Sequence, residues 1–376
     1  MTRGPVAPDA AEERRAGRAH AACTTQRSNC LVCLCTGLMT VCKRTPRGGA
    51  HTRTAGAGSR RHAMLAAMPG VSMPRRRFLA GLGGLAAGIG AQALRAQAAD
   101  SVVPVRVVPS TRQAIPMVGL GSWITFNVGR DAQLRAECTR VVQAFFDGGG
   151  RVIDSSPMYG SSQDVIGQAL RTLNAAGQVF AADKVWTGDG AQGAAQAEGS
   201  RQHWGVLRFA LLQVHNLLNW QAHLPMLLRL KAEGRLVHVG ITTSEGRRHA
   251  EFEQLMRTQP LDFVQFTYNP LDREAEQRLL PLAADRGIAV LVNRPFQQGE
   301  LTQRLQRHPL PPWAAEVGVT SWAQLVLKFI LAHPAVTCVI PATSQVVHVR
   351  ENLAAARGPL PDAALRRRIA EHLQAL

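Results

Sequence analysis

Four side chains able to handle a proton follow one another through the middle of the chain: Asp154, Tyr159, Lys184 and His215. Asp154, Lys184 and His215 stand where apolar runs end, in VIDSSPMYG, FAADKVW and LLQVHN, and Tyr159, one of only two tyrosines, lies five residues beyond Asp154. A phenol with a pKa near ~10 is a poor proton donor at neutral pH. An ammonium beside it favours the phenolate and lowers that pKa, and a carboxylate paired with the ammonium keeps the lysine charged and oriented. A histidine on the next strand can hydrogen-bond a carbonyl oxygen in the same pocket. Such a set protonates a developing alkoxide, the proton half of a carbonyl reduction. Each residue also has an ordinary reading: a strand-end Asp as a turn residue, a lysine as solvated, a histidine as structural. Four such coincidences on three adjacent runs weaken those readings taken together.

The elements that would position them recur along the chain. Apolar runs at residues 117–123, 151–156, 179–186, 209–216, 237–243, 263–269, 289–296 and 336–343 are rich in Val, Ile, Leu or Phe. They are bounded by glycine, proline or polar residues, as buried parallel strands are. Amphipathic segments lie between them. RAECTRVVQAFFDGGG places Val141, Val142, Phe145 and Phe146 on one helical face and stops at glycines. HLPMLLRLKAEGRL, EAEQRLLPLAADRG and SWAQLVLKFILAHP behave alike. Eight strand–helix units predict an α/β fold, a (β/α)8 barrel with catalytic groups at the carboxyl ends of its strands. The competitor is a doubly wound open sheet, but no GxGxxG follows the first run.

Composition divides the chain. The formal charge is +17, yet residues 1–98 carry 15 basic and 3 acidic residues, leaving 28 and 23 for the remainder. Nucleic-acid binding by the globular part is therefore not expected. Five of the seven cysteines (Cys23, Cys30, Cys33, Cys35 and Cys42) are upstream. NCLVCLC has the close spacing of a thiolate metal site, but no second CxxC or His pair completes it. Residues 1–72 read as a disordered leader or translated upstream sequence, and no metal site is expected.

Residues 73–98, MPRRRFLAGLGGLAAGIGAQALRAQA, resemble a twin-arginine export signal. Arg75 and Arg76 form the pair, residues 78–94 a weakly apolar stretch, and Ala96-Gln97-Ala98 a small-x-small cleavage site. The stretch is too short and glycine-rich for a stable membrane span. Export would make the mature barrel residues 99–376 periplasmic, with the twin-arginine machinery as partner; otherwise the protein is cytoplasmic.

The ordered set Asp154-x4-Tyr159-Gly160, Lys184 in ADKVW and His215-Asn216 in LLQVHN resembles the aldo-keto reductases over residues 105–362. The resemblance implies that Tyr159 is the general acid/base, that Lys184 and Asp154 tune it, and that His215 positions the carbonyl. It also implies a nicotinamide dinucleotide held without a Rossmann domain, NADPH in preference to NADH. The cofactor-side residues it points to are Thr242, Thr243, Gln265, Arg294, Pro295, Thr343, Ser344, His348, Glu351 and Asn352. Gln265 matches the glutamine that holds the carboxamide. Thr242-Thr243 replace a usual Ser-Asn, and Asn293 stands where an aromatic residue stacks on nicotinamide. Ala342-Thr343 replace a Lys-Ser pair, His348 aligns with an arginine, and Ala210 lies where an aspartate is common. Trp123, Trp186 and Trp220 fit either the wall of a substrate pocket or packing.

The expected function is NAD(P)-dependent reduction of an aldehyde, ketone or quinone-type carbonyl. The alternative is a non-catalytic or regulatory nicotinamide-binding barrel, and a third is a barrel lyase or isomerase without nicotinamide. The altered stacking and phosphate positions favour the alternative, and the intact four-residue set opposes it.

Overall fold

The computed structural model describes residues 103–376. The leader at residues 1–72 and the signal at residues 73–98 lie outside the described residues. A hairpin of β1 (Val105–Val107) and β2 (Ala114–Pro116) opens the described chain. Eight parallel strands follow: β3 (Leu120–Gly121), β4 (Val152–Asp154), β5 (Phe180–Val185), β6 (Phe209–Val214), β7 (Leu236–Thr242), β8 (Phe263–Thr267), β9 (Ala289–Asn293) and β10 (Cys338–Val339). They pair in chain order from β3 to β10. Parallel bridges Val118–Val339 and Gly121–Ala342 join the last strand to the first. Backbone bonds from Gly119 N to Val339 O (2.8 Å) and from Val339 N to Met117 O (3.0 Å) complete the seam. The expected (β/α)8 barrel is the observed one.

The helices are α1 (Ala132–Asp147), α2 (Ser162–Thr172), α3 (Gly193–Trp204), α4 (Trp220–Ala232), α5 (His249–Thr258), α6 (Leu279–Arg286), α7 (Glu300–Leu305), α8 (Trp322–Leu331), α9 (Val346–Ala354) and α10 (Ala363–Ala375). Helix α1 starts where the Asp131 carboxylate accepts from Leu134 N, satisfying a donor left free by the first turn. Its buried face is Cys138, Val141, Val142, Phe145 and Phe146, the i, i+3, i+4, i+7 pattern expected from the sequence. Burying each large apolar side chain of such a face contributes about 1.5–3 kcal/mol.

Side chains alternate across each strand. Ile153, Ala181, Val185, Leu212, Val214, Val264, Phe266, Val290 and Val292 face outward into the helix layer. Val152, Phe180, Ala182, Leu211, Phe263, Ala289, Leu291 and Cys338 fill the barrel, plugged from below by Ile115 of β2 and Val108 just after β1. On the inward register the next positions are polar: Asp154, Lys184, Gln213, Thr242, Gln265, Thr267 and Asn293. The barrel is thus greasy at its amino end and polar at its carboxyl end, where the loops open.

Candidate active site

The centre of the polar layer is an ion pair with almost no water. Lys184 Nζ on β5 donates to Asp154 Oδ2 on β4 at 2.5 Å and to Ser155 O at 2.7 Å. The two residues are 0% and 2% exposed. The other carboxylate oxygen, Oδ1, accepts from Gln265 Nε2 at 2.9 Å and, more weakly, from Gln213 Nε2 at 3.5 Å. Ser122 Oγ donates to the Asp154 carbonyl at 2.8 Å. Burial alone would strip the lysine of its proton. Contact with Asp154, with help from Tyr159 and Asp183, outweighs burial and lifts the Lys184 pKa.

Tyr159 ends a short 3-10 turn, Pro157–Tyr159, after β4. Gly160 then turns the chain at φ 59°, and a Cβ there would strike the Asn127 side chain. The Lys184 ammonium lies 5.1 Å from the centroid of the Tyr159 ring. The expected lowering of the phenol pKa is not the net result. Burial pushes it up, the Lys184 charge pulls it down, and Asp154 and Asp183 push it up again, so it ends above its ordinary value. Tyr159 therefore carries its proton at neutral pH.

His215 follows β6 and is 6% exposed. Its ring meets that of Tyr159 edge-on, with centroids 5.7 Å apart. Ser156 Oγ lies 2.8 Å from His215 Nδ1 and also accepts from Met158 N. With the serine donating to Nδ1, the imidazole proton stands on Nε2. Burial, with the Lys184 and Arg247 charges, holds the imidazole pKa well below its usual value. His215 is thus a neutral hydrogen-bond donor and not a proton source.

The residues expected on the cofactor side lie on β7 to β9 and in the segment that follows β10. Thr242 Oγ1 accepts from Asn216 N (3.0 Å), fixing the turn after His215. Thr243 Oγ1 donates to Arg247 O (2.5 Å). Asn293 sits inside this network, with Nδ2 donating to Thr243 O at 3.0 Å and Oδ1 accepting from Thr267 Oγ1 at 2.8 Å. Arg294, at φ 50° before the buried Pro295, pairs with Glu245 at 2.9 Å. Beyond β10, Thr343 Oγ1 accepts from Gln345 N and lies 3.3 Å from His348 Nδ1, while Ser344, His348 and Arg350 are exposed at the start of α9. Glu351 accepts from Ser321 Oγ at the start of α8, and Asn352 is buried.

This donor set fits a dinucleotide. Amides stand near the reacting groups, a guanidinium stands at the end of β9, and hydroxyl, imidazole and guanidinium groups stand at a helix start where anions are favoured. Among the described residues no cluster of His, Cys, Asp or Glu could hold a metal ion.

Of the tryptophans, Trp186 is clasped by Gln196, which accepts from its backbone N (2.6 Å) and donates to its carbonyl (2.8 Å). The Trp220 indole donates to Glu251 of α5 at 2.7 Å, a packing role between helices. Ala210, where an acid is missing, offers its carbonyl to His238 Nδ1 at 2.8 Å. Sequence reasoning missed Ser156, Gln213 and Asp183. The available signal was a polar residue at an inward or outward strand position beside a functional one. Gln213 Oε1 is buried without a hydrogen-bond partner among the described residues, and Gly240 opposite lacks the Cβ that would press on its side chain.

Residues 117–372 match the model of the Aldo/keto reductase family. The chain is 27% identical over 331 residues to the NADH-specific methylglyoxal reductase of Escherichia coli (strain K12), covering 70% of this chain and 98% of that protein. Over 135 residues it is 31% identical to pyridoxine 4-dehydrogenase of the same organism, covering 36% of this chain and 44% of that protein. The crystal structure of an aldo/keto reductase from Klebsiella pneumoniae in complex with NADP and acetate superposes with a TM-score of 0.61 at 25% identity, covering 71% of this chain and 94% of that one. A closed eight-stranded barrel, a buried Lys184–Asp154 pair beside Tyr159, and a family match over most of the chain agree: this protein belongs to the aldo/keto reductase family.

Proposed function

We propose that the protein is an NAD(P)H-dependent oxidoreductase that reduces the carbonyl of a small aldehyde, ketone or quinone. The observation that carries this reading is the Lys184 ammonium, 2.5 Å from Asp154 and 5.1 Å from the Tyr159 ring, with the neutral His215 ring edge-on to the same phenol. A nicotinamide dinucleotide, when bound, supplies the hydride. The chain's own residues then handle the oxygen. His215 donates from Nε2 to the carbonyl oxygen and fixes its place. Tyr159 gives its proton to that oxygen as negative charge develops there, and the buried Lys184 stabilises the phenolate left behind. One hydride on carbon and one proton on oxygen make the alcohol. Asp154 keeps Lys184 charged, and the two glutamine amides keep Asp154 oriented.

Gln265 and Asn293 are suited to the carboxamide end, with Thr242 and Thr243 fixing the adjoining turns and Arg294 and Pro295 shaping the end of β9 for the diphosphate. Thr343, Ser344 and His348 would face the adenosine phosphate, with Glu351 and Asn352 nearby. The exposed Ser344, His348 and Arg350 support NADPH over NADH. The Klebsiella pneumoniae relative is described with NADP, and the Escherichia coli relative is NADH-specific. The basic-then-apolar segment at residues 73–98 supports export by the twin-arginine machinery to the periplasm. Cell fractionation of the full chain against an Arg75→Lys, Arg76→Lys variant tests it, and an unchanged distribution rejects it.

The activity is tested by incubating the full chain with NADPH or NADH and a panel of small aldehydes, ketones and quinones. Carbonyl-dependent loss of the reduced dinucleotide is expected, faster with NADPH. Tight dinucleotide binding without turnover of any carbonyl would instead mark a nicotinamide-binding protein without this activity.

A further inference from the structure

The outward-facing residue next to Lys184 is a second fully buried carboxylate. Asp183 is 0% exposed and lies between β5 and the helices α2 and α3, in a layer filled mostly by apolar side chains. Three donors converge on it. Its Oδ1 accepts from Lys184 N at 2.7 Å, and Oδ2 accepts from Gln163 Nε2 of α2 at 2.8 Å and Trp204 Nε1 of α3 at 2.5 Å. Gln163 Nε2 also donates to Ser200 Oγ of α3 at 2.9 Å. An unpaired buried carboxylate is costly, and three N–H donors are a specific way of keeping it. No carboxylate is needed merely to join a strand to two helices in an apolar layer.

We propose that Asp183 is a positioning residue of the reductase: a second buried carboxylate that holds Lys184 in place from behind and adds its charge to the Tyr159–Lys184 pair. This rests on the roles given above to Tyr159 and Lys184. The charged and titratable groups coupled to Asp183 are Lys184 on its own strand, Asp154 on β4 and Tyr159 in the turn that follows β4. Helices α2 and α3 present an amide, a hydroxyl and an indole, none of which titrates in this range. Every group now facing it donates, so protonation of Asp183 either gives up a donor contact or turns the Gln163 amide to present Oε1, and both rearrange the contacts behind Lys184. Burial, against the Lys184 charge, pushes the Asp183 pKa up to about 7. The ionised form therefore gains on the protonated one as pH rises through about 7. In that form its charge raises the proton affinity of both Lys184 and Tyr159.

The test is the pH profile of kcat for the full chain with NADPH and 4-nitrobenzaldehyde, in the wild type, Asp183→Asn, Gln163→Met and Tyr159→Phe. The wild type is expected to gain kcat severalfold as pH rises through about 7, and to lose it on an alkaline limb. His215 stays neutral over this range and does not produce the inflection. Asp183→Asn should lose the neutral inflection, lower kcat by about tenfold, and move the alkaline limb down by roughly half to one pH unit, the size of one buried charge removed. The KM for NADPH should stay within about threefold. Gln163→Met takes one donor from the carboxylate and should move the neutral inflection upward by about half a unit; it decides the matter if Asp183→Asn does not fold. A flat wild-type profile between pH 5.5 and 8.5, or an Asp183→Asn enzyme that keeps both limbs and merely melts earlier, overturns the proposal. An inactive Tyr159→Phe beside either result leaves the site assignment standing. A fully active Tyr159→Phe overturns both.

Discussion

At the scale of single residues, the protein keeps a proton where chemistry needs one by setting opposed influences against each other. Burial holds the Tyr159 phenol protonated and the His215 imidazole neutral, while Lys184 stays charged chiefly because Asp154 touches it. Breaking one half of such a pair leaves an uncompensated buried charge, at a cost of about 3–5 kcal/mol. Lys184→Met should therefore lower unfolding free energy by about that amount and kcat by more than a hundredfold. Adding Asp154→Asn should recover much of the stability and none of the activity, as read by urea denaturation and steady-state rates. Equal stability of Lys184→Met and the wild type would contradict the pair's role. These four residues were legible in the sequence because three end apolar runs and Tyr159 follows closely on the first. Ser156, Gln213 and Asp183 were not, because their roles depend on which way a strand residue faces and which neighbour the register brings opposite. The direction of the Tyr159 shift was misread for a related reason: sequence names the ammonium, but burial is a property of the folded barrel.

At the scale of elements, the β/α rhythm was readable because parallel strands covered on both faces appear as short apolar runs. Strand limits were less so. The run at residues 117–123 supplies only the two-residue β3, since Ser122 leaves the ladder to bind the Asp154 carbonyl. The hairpin below the barrel gave no clear signal. It is tied in by Arg106, which donates to the carbonyls of Leu331 (2.7 Å) and His333 (2.9 Å) at the end of α8. The last helix, α10, is fastened through Arg366, which pairs with Glu276 and the Tyr268 hydroxyl and lies 4.8 Å over the Phe329 ring. Tyr268, the second tyrosine, is thus structural. Arg366→Met should cost about 1–3 kcal/mol by leaving half-buried acceptors short of a donor, while kcat stays within twofold. A large change in kcat without a change in melting temperature would show that α10 takes part in the reaction.

For the whole molecule, titratable groups partly or wholly withdrawn from water give stability a pH dependence of both signs. Burial and the Arg366 charge lower the His333 pKa to about 4. Its contribution is present above the unfolded value near ~6.5 and is lost as pH falls toward 4. Asp183, raised to about 7, does the opposite: its contribution is present below the unfolded value near ~3.9 and lost as pH rises through about 7. Between these limits the two slopes oppose. Urea midpoints relative to wild type should rise with pH from 4.5 to 6.5 in Asp183→Asn and fall in His333→Gln. Variants running parallel to the wild type would contradict the assignment. The central claim concerns what the barrel does as a unit, hydride to carbon and a proton from Tyr159 to oxygen. It is tested most directly by single turnover of 4-nitrobenzaldehyde with NADPH deuterated at the transferring position, in the wild type and Tyr159→Phe. One deuterium on the alcohol carbon is expected, with a rate about 10²–10⁴ lower in Tyr159→Phe and dinucleotide affinity unchanged within about threefold. No deuterium in the product, or a Tyr159→Phe rate within tenfold of wild type, would contradict it.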